Sequence, residues 1–198
     1  MTSYNIDVRP MWDDDDVTKV AINFALVDVE DIMESGHMKS RMWIRMEWID
    51  PSLRWSSSDY SDVNELHIAA RRIWTPDVCL YNAMTYDAER DTDAVVTSDG
   101  RVTWVTTATG VITCRHEFRT DSWLCQFSFL SWTYDGKQLD LAPLDDVINL
   151  TQFAASERWK VLGRTTQRQQ KPLPWRQESH VCVNFVVKLQ MKAGRLGR

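Results

Sequence analysis

Apolar and polar residues alternate with a period of two along most of this chain. Val20, Ile22, Phe24 and Leu26 share one parity, as do Met42, Ile44, Met46 and Trp48, and later Val181, Val183, Phe185, Val187 and Leu189. Successive side chains of an extended strand point to opposite sides, so this spacing gives each segment one apolar face. Helical spacing is scarce. A chain of half-apolar strands must bury those faces against each other, which predicts an all-β fold, an antiparallel β-sandwich or barrel. Ser98-Asp99-Gly100 and Tyr134-Asp135-Gly136 read as tight hairpin turns, because Asp-Gly accepts positive φ angles. No internal repeat, low-complexity segment or Gly-, Ser- or Pro-rich linker interrupts the pattern, so residues 1–198 are expected to form one domain.

Composition narrows the partners. The chain is 43% hydrophobic and 26% charged, which is ordinary for a globular protein and excludes intrinsic disorder. No run reaches the 18 or so apolar residues of a membrane-spanning helix, so no membrane span is expected in this chain. With 23 basic against 28 acidic residues the formal net charge is -5, and no long basic cluster is present to meet phosphates. Nucleic acid is therefore not expected as a partner. The N-terminal residues lack the charged start and apolar core of a secretory signal. Ten tryptophans supply large ring faces, suited to packing, to cations or to sugars.

The four cysteines, at 79, 114, 125 and 182, form no CxxC pair, which disfavours zinc ribbons and thioredoxin chemistry. Cys114 and Cys125 flank a short polar segment and can close a small loop; Cys79 and Cys182 lie within apolar strands and read as buried free thiols. Asn149-Leu150-Thr151 fits the N-glycosylation acceptor pattern, which with a disulfide points to an extracellular, oxidising compartment. The run Asp13 to Asp16 reads as a solvated acidic loop. The histidines at 37, 67, 116 and 180 lack metal-ligand spacing, and no nucleophile elbow or phosphate loop appears. Glu47 and Asp50 are the one carboxylate pair that resembles a glycoside-hydrolysing arrangement. No metal, cofactor or enzymatic activity is expected.

Three segments carry a resemblance. Trp48-Ile49-Asp50-Pro51-Ser52-Leu53-Arg54-Trp55, then Ile73-Trp74-Thr75-Pro76-Asp77-Val78-Cys79-Leu80-Tyr81-Asn82, then Ser131-Trp132-Thr133-Tyr134-Asp135-Gly136 resemble, in order and spacing, the ligand-binding domain of the Cys-loop receptor family. Nicotinic acetylcholine receptors and acetylcholine-binding proteins are the members most alike. Tyr4-Asn5 with Arg9-Pro10, and a last strand running to the basic end at Lys192 to Arg198, extend the likeness over nearly the whole chain. The resemblance implies a sandwich of about ten strands, a homopentameric ring, a Cys114–Cys125 disulfide and a ligand held between neighbouring subunits in an aromatic cage. On the principal face it implies Tyr81 and Trp132, with Trp175 and His180 from the third loop. On the complementary face it implies Trp48, with Thr103 and Val105 as an apolar wall. The implied ligand is a small cationic amine or a larger amphipathic molecule, bound outside the cell.

Two features depart from the family pattern. Its third loop carries a tyrosine, two adjacent cysteines and a second tyrosine, where a gap-free alignment here gives Leu173, Trp175, Arg176 and His180. An imidazole at that place is expected to make binding pH-sensitive. Cys114 and Cys125 enclose ten residues where the family's loop encloses thirteen, and its Phe-Pro-Phe-Asp becomes Phe118-Arg119-Thr120-Asp121. A short charged loop argues against tight coupling to a pore, so a soluble binding protein and a receptor's extracellular domain both fit. A secreted carbohydrate-binding sandwich with tryptophan platforms is the alternative from another class.

Overall fold

The computed structural model describes residues 4–13, 16–145, 148–151, 153, 158–174 and 178–192. The strands are β1 (Thr18–Ile32), β2 (His37–Ile49), β3 (Glu65–Ala69), β4 (Val78–Leu80), β5 (Ala83–Ala88), β6 (Asp93–Thr97), β7 (Arg101–Thr113), β8 (Arg115–Glu117), β9 (Ser122–Ser131), β10 (Leu139–Pro143), β11 (Trp159–Pro172) and β12 (Ser179–Met191). They form two sheets. One runs β10-β1-β2-β7-β6-β3, with β5 also on β7; the other runs β11-β12-β9-β4, with β8 on β9. Pairing is antiparallel except for β10 on β1, which is parallel. That exception follows from the route of the chain: β10 arrives from β9 in the other sheet, not from a hairpin off β1.

The alternating residues fill the space between the sheets. Val20, Ile22, Phe24 and Leu26 of β1 and Met42, Ile44, Met46 and Trp48 of β2 are buried, and face Val181, Val183, Phe185, Val187 and Leu189 of β12. At the centre Phe24 meets Phe127, Phe129 and Phe185 with ring centroids 4.5, 5.7 and 5.5 Å away. The Cys114–Cys125 disulfide joins the end of β7 to β9 and so staples one sheet to the other. Closing a loop of this length stabilises the fold by roughly 3 kcal/mol in the chain-entropy picture.

The two Asp-Gly segments differ. Gly100 has φ +84° and turns β6 into β7 as a hairpin, with Asp99 Oδ1 accepting from the Arg101 amide at 3.3 Å. Tyr134-Asp135-Gly136 is not a hairpin: it carries the chain from β9 across to β10 in the opposite sheet. Asp135 Oδ1 accepts from the amides of Lys137 at 2.7 Å and Gln138 at 3.2 Å, so the side chain closes this turn.

Gly100 is required twice over. A Cβ there would lie 2.5 Å from the Asp50 carbonyl oxygen, in a left-handed backbone that other residues enter at a cost of about 1–2 kcal/mol. Gly100→Ala is expected to lower stability by at least about 2 kcal/mol in chemical denaturation. Gly163→Ala, where nothing lies within 4 Å, serves as the neutral control. Equal midpoints for the two variants would contradict the left-handed turn.

Candidate functional site

Tyr81 and Trp132 project from the ends of neighbouring strands, β4 and β9, which pair through Val78 and Ser131. Their ring centroids are 6.3 Å apart at 40°. Asp77 fixes the Trp132 segment: its carboxylate accepts from the Ser131 hydroxyl, and from the Thr133 amide and hydroxyl, each at 2.7 Å. Both neighbours of Trp132 are thus tied to one carboxylate, and the indole is left 47% exposed. Asn82 fixes the Tyr81 segment in the same way, donating to the Gln126 carbonyl at 2.8 Å and accepting from the Ser128 amide at 2.9 Å. Bonds to an ionised group are among the stronger protein hydrogen bonds, so this rigid frame presets the ring pair.

The outer face of the other sheet holds Thr103 and Val105 on β7, opposite Glu47 and Arg45 of β2. Val105 is exposed and Thr103 half-buried. Trp48, expected beside them, is not on this face. It is 2% exposed, points into the core with the other even-numbered residues of β2, and meets Trp74 edge-on at 5.8 Å. The outward tryptophan of β2 is Trp43, opposite Thr107 and 39% exposed. The sequence carried the signal for this: Trp43 has the opposite parity to the apolar set of β2.

His180 also lies elsewhere than expected. It is fully buried, and its Nδ1 donates to the Ser131 carbonyl at 3.0 Å, while Nε2 has no hydrogen-bond partner among the described residues. It supports the Trp132 segment from beneath and lines no open surface. Leu173 is 2% exposed and packs on Leu130 and Cys182, beside Tyr81. Trp175 and Arg176 lie outside the described residues. Asn149 is exposed, and its Oδ1 accepts from the Thr151 amide at 2.9 Å.

Glu47 and Asp50 form no carboxylate pair. Glu47 pairs with Arg45 and, at 3.8 Å, with Arg101. Asp50 is buried, accepts from Tyr4 Oη at 2.6 Å and caps the turn at Ser52; burial raises its pKa above the usual carboxylate value. A cleft of about 840 Å³ opens between Tyr4 and the stretch from Ser52 to Leu66, away from Tyr81 and Trp132. The ring pair and the Trp43–Val105 strip stand on outer faces of different sheets, with the core between them, so one chain cannot bring them together.

Cys79 and Cys182 are unpaired. Each is the register partner of Leu130, Cys79 from β4 and Cys182 from β12, so the two lie two strand spacings apart, roughly 9.5 Å, beyond disulfide reach. Burial, with the Asp77 charge adding, pushes the Cys79 thiol up to about 11, and burial raises Cys182 as well. Cys79 is half-buried rather than buried as expected, and at pH 8 thiolate is its minor form. Ellman's reagent is expected to label the native protein slowly, faster as pH rises, and to find two thiols at once after denaturation. Rapid native labelling, or no thiol in the denatured chain, would contradict the placement.

The sequence model of the "Neurotransmitter-gated ion-channel ligand binding domain" family matches residues 1–192. The neuronal acetylcholine receptor subunit alpha-10 of Rattus norvegicus is 32% identical over 197 residues, covering 96% of this chain and 44% of the rat protein. The neuronal acetylcholine receptor subunit beta-4 of Homo sapiens is 33% identical over 180 residues, covering 86% of this chain and 36% of its own length. The chain spans less than half the length of these relatives. Among solved structures, the acetylcholine-binding protein of Capitella teleta in complex with lobeline superposes with a TM-score of 0.83 at 24% identity, over 92% of this chain and 88% of the other, a likeness of fold.

Proposed function

The chain belongs to the neurotransmitter-gated ion-channel ligand binding domain family, and from that premise we propose that it binds a small cationic or amphipathic amine in an aromatic cage shared by two copies. The observation that carries this reading is the Tyr81–Trp132 pair, preset by Asp77, on one outer face, with Trp43, Thr103 and Val105 on the other. A cation over an indole gains about 0.5 kcal/mol when exposed and about 2 kcal/mol when desolvated, and a second copy is what removes the water. Trp43 takes the complementary role first given to Trp48. The family is one of binding domains, not of enzymes, and its match lends no support to a carbohydrate-binding sandwich.

The assembly that closes such a cage repeatedly is a ring, and a homopentamer suits the family. An extracellular place fits the Cys114–Cys125 disulfide and the exposed sequon at Asn149. Two forms remain compatible with the chain: a secreted binding protein, and the outer domain of a channel.

Light scattering tests the assembly, and calorimetry with acetylcholine as probe tests the site. A multiple of 23.1 kDa is expected at micromolar concentration. Trp132→Ala and Trp43→Ala are each expected to weaken binding about tenfold or more, because each removes a ring from a desolvated cage. A stable monomer, or unchanged binding in Trp132→Ala, would refute the shared cage.

A further inference from the structure

The Tyr81 ring already carries a cation. Lys171 Nζ lies 4.2 Å from its centroid. This is no chance excursion of a loose side chain, because the backbone around it is anchored on both sides. Lys171 stands opposite His180 in the β11–β12 pairing, and His180 is buried and bonded to the Ser131 carbonyl, next to Trp132. On the other side Pro172 fixes the backbone, and Leu173 is buried against Leu130 and Cys182. The strand that delivers Lys171 is thereby locked to the segment that presents Trp132.

An ammonium has three N–H donors, and a ring face answers its charge while leaving donors to be met by an acceptor. Among the described residues no carboxylate lies in ion-pair contact with Lys171. A ligand cation entering beside Tyr81 and Trp132 meets this like charge on the Tyr81 ring. A ligand that also carries a carboxylate meets a donor in want of an acceptor.

We propose that Lys171 is a specificity-determining residue of the ligand site: its tethered ammonium on Tyr81 selects ligands that bear a carboxylate beside their cationic group over ligands that are cations alone. The proposal rests on the reading of Tyr81 and Trp132 as half of the ligand cage. It makes the preferred ligand class zwitterionic. A bare quaternary amine binds only by displacing or tolerating Lys171.

Acetylcholine and acetylcarnitine make the comparison, since the second is the first with a carboxymethyl substituent. Calorimetric titration of both probes is run on the native protein, on Lys171→Met, which keeps the stem and removes the charge, and on Lys171→Arg, which keeps the charge. The native protein and Lys171→Arg are expected to bind acetylcarnitine about tenfold more tightly than acetylcholine, and Lys171→Met to reverse the order, allowing for screening at the surface. Circular dichroism confirms folding of each variant. If both probes bind and their affinity ratio is the same in Lys171→Met as in the native protein, the selection by Lys171 is overturned while the cage stands. If neither probe binds any of the folded proteins, the cage reading falls, and the proposal with it.

Discussion

The packing of Phe24 from one sheet into Phe127, Phe129 and Phe185 of the other is the contact on which the rest of the structure depends. It sets the separation of the sheets and commits Val20, Ile22, Phe24 and Leu26 of β1, the even-numbered residues of β2 and Val181 to Leu189 at odd positions of β12 to the interior. Truncating such a ring costs about 3–5 kcal/mol, a large share of a domain's stability. Everything with binding chemistry is therefore confined to the outer faces and to the loops at strand ends. The Cys114–Cys125 link holds the same two layers at one end, so core and crosslink act on one geometry.

On the second sheet this confinement is turned into precision by a few polar groups. Asp77 grips Ser131 and Thr133, Asn82 grips Gln126 and Ser128, and His180 holds the Ser131 carbonyl from below. Because Ser131 receives two of these contacts, the indole at 132 cannot shift without breaking buried bonds. The ring pair is thus a property of a hydrogen-bonded frame more than of the rings themselves. Lys171 from the end of β11 and Leu173 just past it come to the same place, one supplying charge at the ring face and the other apolar cover over Leu130 and Cys182.

Trp48 illustrates how a motif and a period can disagree. The motif spacing places Trp48 at a ligand face, whereas the alternation of β2 puts it with Met42, Ile44 and Met46 in the core, and burial follows the alternation. Side-chain parity on a strand is dictated by backbone geometry, so a residue assigned outward from a motif must have the parity of the exposed set. Trp43 has it. His180 resolves differently: its parity is opposite to that of the inward-facing Val181 and Val183, yet it is buried, with its ring bonded to the Ser131 carbonyl of a segment about fifty positions away.

The sequence by itself determined the all-β architecture, the inner faces of β1, β2 and β12, the family and the pairing of rings at 81 and 132, because period-two patterning and ordered motifs are local properties of the chain. It also carried the parity that identifies Trp43. What only the tertiary structure decided depends on residues far apart in sequence meeting in space. The Asp77 bonds to Ser131 and Thr133 span more than fifty positions, the Tyr134–Gly136 segment crosses between sheets where a hairpin was expected, and Lys171 reaches Tyr81 from a strand ninety positions away. No local pattern encodes such contacts, since each exists only once two sheets have closed on a common core.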